Sequence, residues 1–162
     1  EVRVPVTADL DADDLVIKGE YADFLERTRL DELLPGRKIE FTSAGGYRRL
    51  LEQIAVHRYF MGLERKRPIA EDEAVLGWYY DLYRPLVTII REQHILSDFP
   101  GRTETDLYLW IMDHQHFLRE RLGPGVSLEQ AAAHFARHYS ARRSRRLLHT
   151  VQEIVGGDDA IG

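Results

Sequence analysis

Cysteine is absent from this 162-residue chain, which excludes disulfides, thiolate zinc sites, iron–sulfur clusters and cysteine nucleophiles together. Long apolar runs are missing as well. None approaches the roughly 20 residues of a membrane span, so no membrane partner is expected. No stretch near the start reads as a secretory signal, and the chain opens on Glu1 rather than Met, which fits a piece cut from something longer. Phosphate-cradling glycine motifs are lacking too, both the Walker loop and the Gly-x-Gly-x-x-Gly turn. None of the five serines (Ser43, Ser97, Ser127, Ser140 and Ser144) lies in a Gly-x-Ser-x-Gly elbow. Each stands in a predicted loop or near a helix start, where capping accounts for it. Nor is there an excess of positive charge. The 22 Lys and Arg face 27 Asp and Glu, a net of −5, which argues against wholesale coating of nucleic acid but leaves room for a local basic patch.

What is present suits one domain. The chain is 44% hydrophobic and 30% charged, and at this length folding buries roughly 68–70% of the unfolded surface without staples. Val2, Val4 and Val6 alternate with Glu1, Arg3 and Pro5, the period of a short strand that Pro5 confines to an edge. Such a strand pairs with the similar run over residues 38–41 or with a sheet supplied by another domain. Asp11 or Asp13 then caps a helix reaching Thr28, with Leu15, Tyr21, Ala22 and Leu25 inward. A second helix opens after Thr42 and Ser43, buries Tyr47, Leu50, Leu51, Ile54 and Met61, and closes at Gly62. A long third helix covers residues 70–94, with Pro85 kinking or dividing it near Tyr83 or Arg84. Thr103 caps a fourth, which turns Leu107, Trp110, Ile111, Phe117 and Leu118 inward and stops at Gly123-Pro124. Ser127 and Gln130 make a capping box for a fifth, to Tyr139. A sixth covers residues 141–155. The prediction is an all-α domain of about five to six helices over residues 15–155. A short strand tail and linker (1–14) precede it, and a tail (156–162) follows.

Three groups of residues carry candidate chemistry. His134 and His138 stand four apart on one helix, a spacing that can aim two imidazoles at one metal. However, Asp113 with His116 is the only carboxylate-x-x-His pair, so a di-iron bundle site has little behind it. His57 and His114 fall on apolar stripes, where a histidine is either a core group or a ligand. In the loop over residues 99–106, Arg102 stands beside free amides at a helix start capped by Thr103, an arrangement that holds anions. The simpler reading makes Thr103 a cap and pairs Arg102 with an acid, since Glu104 and Asp106 would repel an anion. Arg102, Thr103, His57 and His114 are therefore the candidate anion or ligand residues.

Charge is uneven. Residues 1–32 hold ten acids against four bases, whereas Arg137, Arg142, Arg143, Arg145 and Arg146 fall within ten residues without an acid among them. Such a cluster contacts nucleic-acid phosphates, forms a solvated face, or meets the acidic N-terminal region within the chain or across a dimer. The Arg65-Lys66-Arg67 run reads as an exposed loop. Aromatic residues gather in the middle. Tyr59, Phe60, Trp78, Tyr79, Tyr80, Tyr83, Tyr108 and Trp110 are too many for one helix face, so some pack between helices and others form a contact surface.

The runs Gly45-Gly46-Tyr47 to Leu51, Ile54 to Gly62, Trp78-Tyr79 and above all Phe99 to Trp110 carry a resemblance. They resemble a family of uncharacterised bacterial proteins in which a ParB/sulfiredoxin-like domain is followed by a helical region. The likeness covers about Val4 to Gly123. It implies a cytoplasmic bacterial protein whose residues 2–7 end the sheet of a preceding domain and whose residues 9–14 are a linker. The Asp-Gly-Asn/His-His-Arg signature of that preceding domain is missing here, so no catalytic residue carries over and no cofactor is expected. The reading is a non-enzymatic helical module that packs on the ParB-like domain or another subunit, or forms a homo-oligomer. Two alternatives stand beside it. One is a DNA-associated regulator acting through the arginine cluster, and the other a small-ligand or metal-binding domain.

Overall fold

Acids early in a segment that lacks Pro and Gly favour a helix, and residues 8–18 are such a segment. In the computed structural model, which describes residues 7–140, α1 accordingly spans Thr7–Thr28. Residues 7–14 are its first turns rather than a strand end and linker, and neither Asp11 nor Asp13 caps it. The strand expected before Thr7, the helix over 141–155 and the tail after it lie outside the described residues. The inner face of α1 also differs from expectation. Phe24 is fully buried and Ile17, Tyr21 and Leu25 pack beside it, while Leu15 and Ala22 face solvent. A short α2 (Leu30–Leu33) follows at once.

Residues 38–41 keep their two-residue alternation, with Ile39 and Phe41 buried and Lys38 and Glu40 exposed, yet they form no strand. Side chains satisfy this backbone instead of a ladder. Tyr47 donates its hydroxyl to the Ile39 carbonyl at 2.7 Å and Thr103 donates to the Glu40 carbonyl at 2.5 Å. α3 (Gly46–Arg65) buries Tyr47, Leu50, Ile54 and Met61, as the period requires. It starts at Gly45 without a side-chain cap and runs through Gly62 to a left-handed Lys66. Gly46 is needed at its start, since a Cβ there would stand 2.7 Å from the Phe41 ring.

The long third helix runs on past Pro85 with a change of form, and the change has a cause. Pro85 has no amide hydrogen and its ring crowds the carbonyl four residues back. The chain answers with a π-helical turn, Tyr79–Tyr83, between α4 (Glu71–Trp78) and α5 (Arg84–Glu92), in which the Arg84 amide bonds the Tyr79 carbonyl. His94 ends this rod in the left-handed region, and a 3₁₀ turn (Ile95–Asp98) leads onward. α7 (Leu128–Tyr139) opens with the Ser127–Gln130 capping box that the sequence predicts, and α6 (Glu104–Leu122) opens at the expected Thr103 cap, which Asp106 completes into a second box. On α6, Leu107, Ile111 and Leu118 are buried, whereas Trp110 is half-buried and Phe117 exposed. α6 stops at Gly123, as predicted. The described domain is all-α.

α3 packs on α4, α5 on α6 and α7, and α6 on α7, around a core centred on Trp78 and Tyr108. Both rings need a polar partner, and one atom serves them. Gln53 Oε1 accepts from Trp78 Nε1 at 3.3 Å and from the Tyr108 hydroxyl at 2.6 Å, joining α3, α4 and α6. Gln53→Ala leaves two buried donors unpaired and is expected to cost about 2–4 kcal/mol in urea unfolding. Gly46→Ala drives a methyl into the Phe41 ring and is expected to destabilise by about 1–3 kcal/mol in the same assay.

Candidate functional site

The N-terminus of α6, where the sequence places an anion, already holds one from the chain itself. Asp106 is 3% exposed. Its carboxylate accepts the Thr42 amide at 3.0 Å, the Thr42 hydroxyl at 2.6 Å and the Thr103 amide at 3.0 Å. The acid expected to repel a ligand thus occupies the ligand's place. Arg102 lies outside this knot, donating to Thr42 Oγ1 at 3.1 Å, its guanidinium 5.1 Å from the Trp110 ring centre. Thr103 is a cap. The simpler reading of this loop holds for Thr103, while Arg102 is seated on an aromatic ring rather than an acid.

The structure separates the two apolar-stripe histidines. His57, on α3, contacts Asp81 of the π-helical turn at 3.0 Å and lines a groove of about 420 Å³ with Val56, Phe60, Leu82 and Met112. His114, on α6, instead joins His134 and His138 of α7. His114 Nε2 and His134 Nδ1 share a hydrogen bond of 2.7 Å, and the His134 and His138 ring centres lie 4.1 Å apart. Phe117, Phe135 and Tyr139 surround His114. Among the described residues no three His, Asp or Glu side chains are arranged to hold a metal. His134 and His138 stand together as their spacing predicts, with their rings tilted by 33°, and His134 stacks on His114. Burial, then the neighbouring His134 and His138, pushes the His114 pKa down; burial, then His138 and Arg137, does the same to His134.

Of the arginine cluster, Arg137 is described, exposed on the last turn of α7. Arg142, Arg143, Arg145 and Arg146 lie outside the described residues. The Arg65-Lys66-Arg67 run is not a bare basic loop. Arg65 and Arg67 both close on Glu73 of α4, Arg67 at 2.5 Å. That bond to Arg67 is the main cause holding the Glu73 carboxyl below its usual range.

Two features escaped the sequence reading. Val56, Tyr59, Phe60 and Leu63 of α3 are 56%, 63%, 59% and 58% exposed, a stripe at i, i+3, i+4 and i+7 that faces away from the core. The aromatic pair is legible in the sequence but its direction is not, because α3 carries apolar residues on both faces. The second feature is a cavity of about 570 Å³ beside the π-helical turn. Its floor is Ile39, Tyr79, Tyr83 and Val87, and its rim carries Arg37, Lys38, Arg84 and Arg91. Burial pushes the Tyr83 phenol up to about 12, and its hydroxyl is shared with Thr105 at 2.8 Å. The signal is hidden because these four cations come as two pairs from stretches far apart in the chain, Arg37-Lys38 and the two arginines of α5.

A histidine held below its ordinary value of 6.5 when folded binds its proton more readily in the unfolded chain. Stability is therefore fully present above that value and falls as the pH drops through it toward the lowered folded values. The urea midpoint is expected to decline between about pH 7 and pH 5, and less so in a His114→Leu/His134→Leu variant. Asp106→Ala strands three donors and is expected to cost about 3 kcal/mol at neutral pH. Comparison with family models, with curated proteins and with solved structures finds no match to this chain.

Proposed function

We propose that this chain is a non-enzymatic interaction module whose α3 face docks on a second copy of itself. The observation that carries the reading is the exposed stripe of Val56, Tyr59, Phe60 and Leu63. Four large apolar side chains in one helical row are costly to leave in water and mark an interaction surface. The stripe lies against its own groove, which Val56 and Phe60 share with Leu82 and Met112. A two-fold axis through such a patch sets each copy's Tyr59–Phe60 knob against the other's groove, the isologous arrangement of a closed dimer.

Charge at the two ends supports the same occupant. Glu52, which holds Arg48 of its own helix at 3.6 Å and is largely exposed, lies one turn before the stripe, and Lys66 follows the end of α3. Two α3 helices crossing antiparallel bring Glu52 of one copy toward Lys66 of the other. No ion pair engages Lys66 among the described residues, whereas its neighbours Arg65 and Arg67 are taken by Glu73.

Sedimentation equilibrium across micromolar concentrations is the test. The reading expects a monomer–dimer equilibrium that Phe60→Glu shifts by at least about tenfold toward monomer, since a carboxylate cannot enter an apolar contact without large cost. Phe60 is exposed, so far-ultraviolet dichroism of that variant is expected to match the parent. A parent protein that stays monomeric, or a dimer indifferent to Phe60→Glu and Tyr59→Ser, overturns the proposal.

A further inference from the structure

We infer that the cavity between residues 36–39, the π-helical turn and α5 binds a small organic phosphate, a flat apolar group bearing a dianion. Its construction separates two chemistries. Tyr79, Tyr83 and Val87 each show an edge to the cavity and give its floor an apolar, partly aromatic character, with Ile39 wholly buried beneath them. The Tyr79 and Tyr83 rings stack with centres 5.5 Å apart. The rim is cationic. Arg91 is taken by Glu104, which grips it with two bonds of 2.6 and 2.8 Å, so the one acid lining the cavity is neutralised. Arg37, Lys38 and Arg84 remain, and no ion pair engages them among the described residues.

Each of these three cations is positioned by its local structure. Pro35-Gly36 turns the chain, with Gly36 at φ 80 and the Arg37 amide bonded to Leu34, which delivers Arg37 and Lys38 to one wall. Arg84 leaves the π-helical turn with its guanidinium 5.6 Å from the Tyr80 ring centre. Thr88 lies one turn further along the same face of α5 and adds a hydroxyl donor. Single π-helical turns inside α-helices recur at functional sites, and this one sets the two floor tyrosines directly before Arg84. The volume lies within the roughly 300–1,000 Å³ of small-molecule pockets. A polymer backbone asks for a cationic track along the surface, whereas these cations ring a depression with an apolar base.

Phenyl phosphate carries both halves of this chemistry and is the probe, with inorganic phosphate as the charge-only control. Isothermal titration of the intact chain is expected to show saturable one-to-one binding, tighter for phenyl phosphate than for inorganic phosphate. Lys38→Gln combined with Arg84→Gln removes two exposed cations and is expected to weaken phenyl phosphate binding by at least about tenfold. Dichroism is expected to be unchanged, because neither side chain is buried. No saturable binding at millimolar probe, or binding indifferent to the double substitution, overturns the inference. So does equal affinity for the two probes, which would make the rim a plain cationic patch. So does tighter binding of a single-stranded oligonucleotide.

Discussion

A hydrogen that proline cannot supply governs the middle of this domain. Pro85 falls inside a helical stretch that the core needs on both sides, because Trp78, Tyr79 and Tyr83 precede it and Leu86, Val87, Ile89 and Ile90 follow. Breaking the rod there would split the core. The π-helical turn keeps the rod and absorbs the defect by letting the Arg84 amide reach five residues back, to Tyr79. The wider turn holds Trp78, Tyr79, Tyr83 and Tyr108 in one contiguous set of ring contacts. Gln53 then meets the polar needs of Trp78 and Tyr108 from the opposite helix. Core packing and the basic cavity are two faces of the same turn.

Where local chemistry decides a feature, the sequence was readable. Thr103 with Asp106 and Ser127 with Gln130 are short-range hydrogen-bonding patterns, and both helix starts stand where they place them. The buried row of α3 follows from helical period alone. Pro85 announces a disturbance but not its form, because kink, break and π-helical turn all relieve the same missing bond. The start of α1 was misplaced because several aspartates compete as caps and none is obliged to act as one. Residues 38–41 alternate like a strand, yet period 2 reports which side chains are buried and not whether a neighbouring strand exists.

Candidate chemistry was harder to read than fold, for a physical reason. His114 and His134 lie on different helices, and only tertiary packing brings one nitrogen of each ring to 2.7 Å. The Arg37-Lys38 pair and Arg84 are likewise far apart in sequence and converge through the turn after Pro35 and the turn before Pro85. Asp106 shows the opposite case. Its position in a helix start was legible, and so was its negative charge. What the sequence withheld was that Thr42, far away along the chain, supplies two of its three donors.

That distance shapes how the domain assembles. Thr42 and Asp106 are 64 residues apart, and closing a loop of that length costs roughly 4 kcal/mol of chain entropy before any bond is gained. The α3–α4 and α6–α7 contacts join nearer neighbours in sequence and cost about 1 kcal/mol less to close. Residues 36–42 thus hold contacts on two scales, near ones through the Tyr47 hydroxyl and the Phe41 ring and a distant one through Thr42 and Asp106. Arg37 and Lys38 ride on this segment, so one cationic wall of the cavity depends on both. Loosening residues 36–42 would take Arg37 and Lys38 away and leave Arg84 and Arg91 standing over the tyrosines.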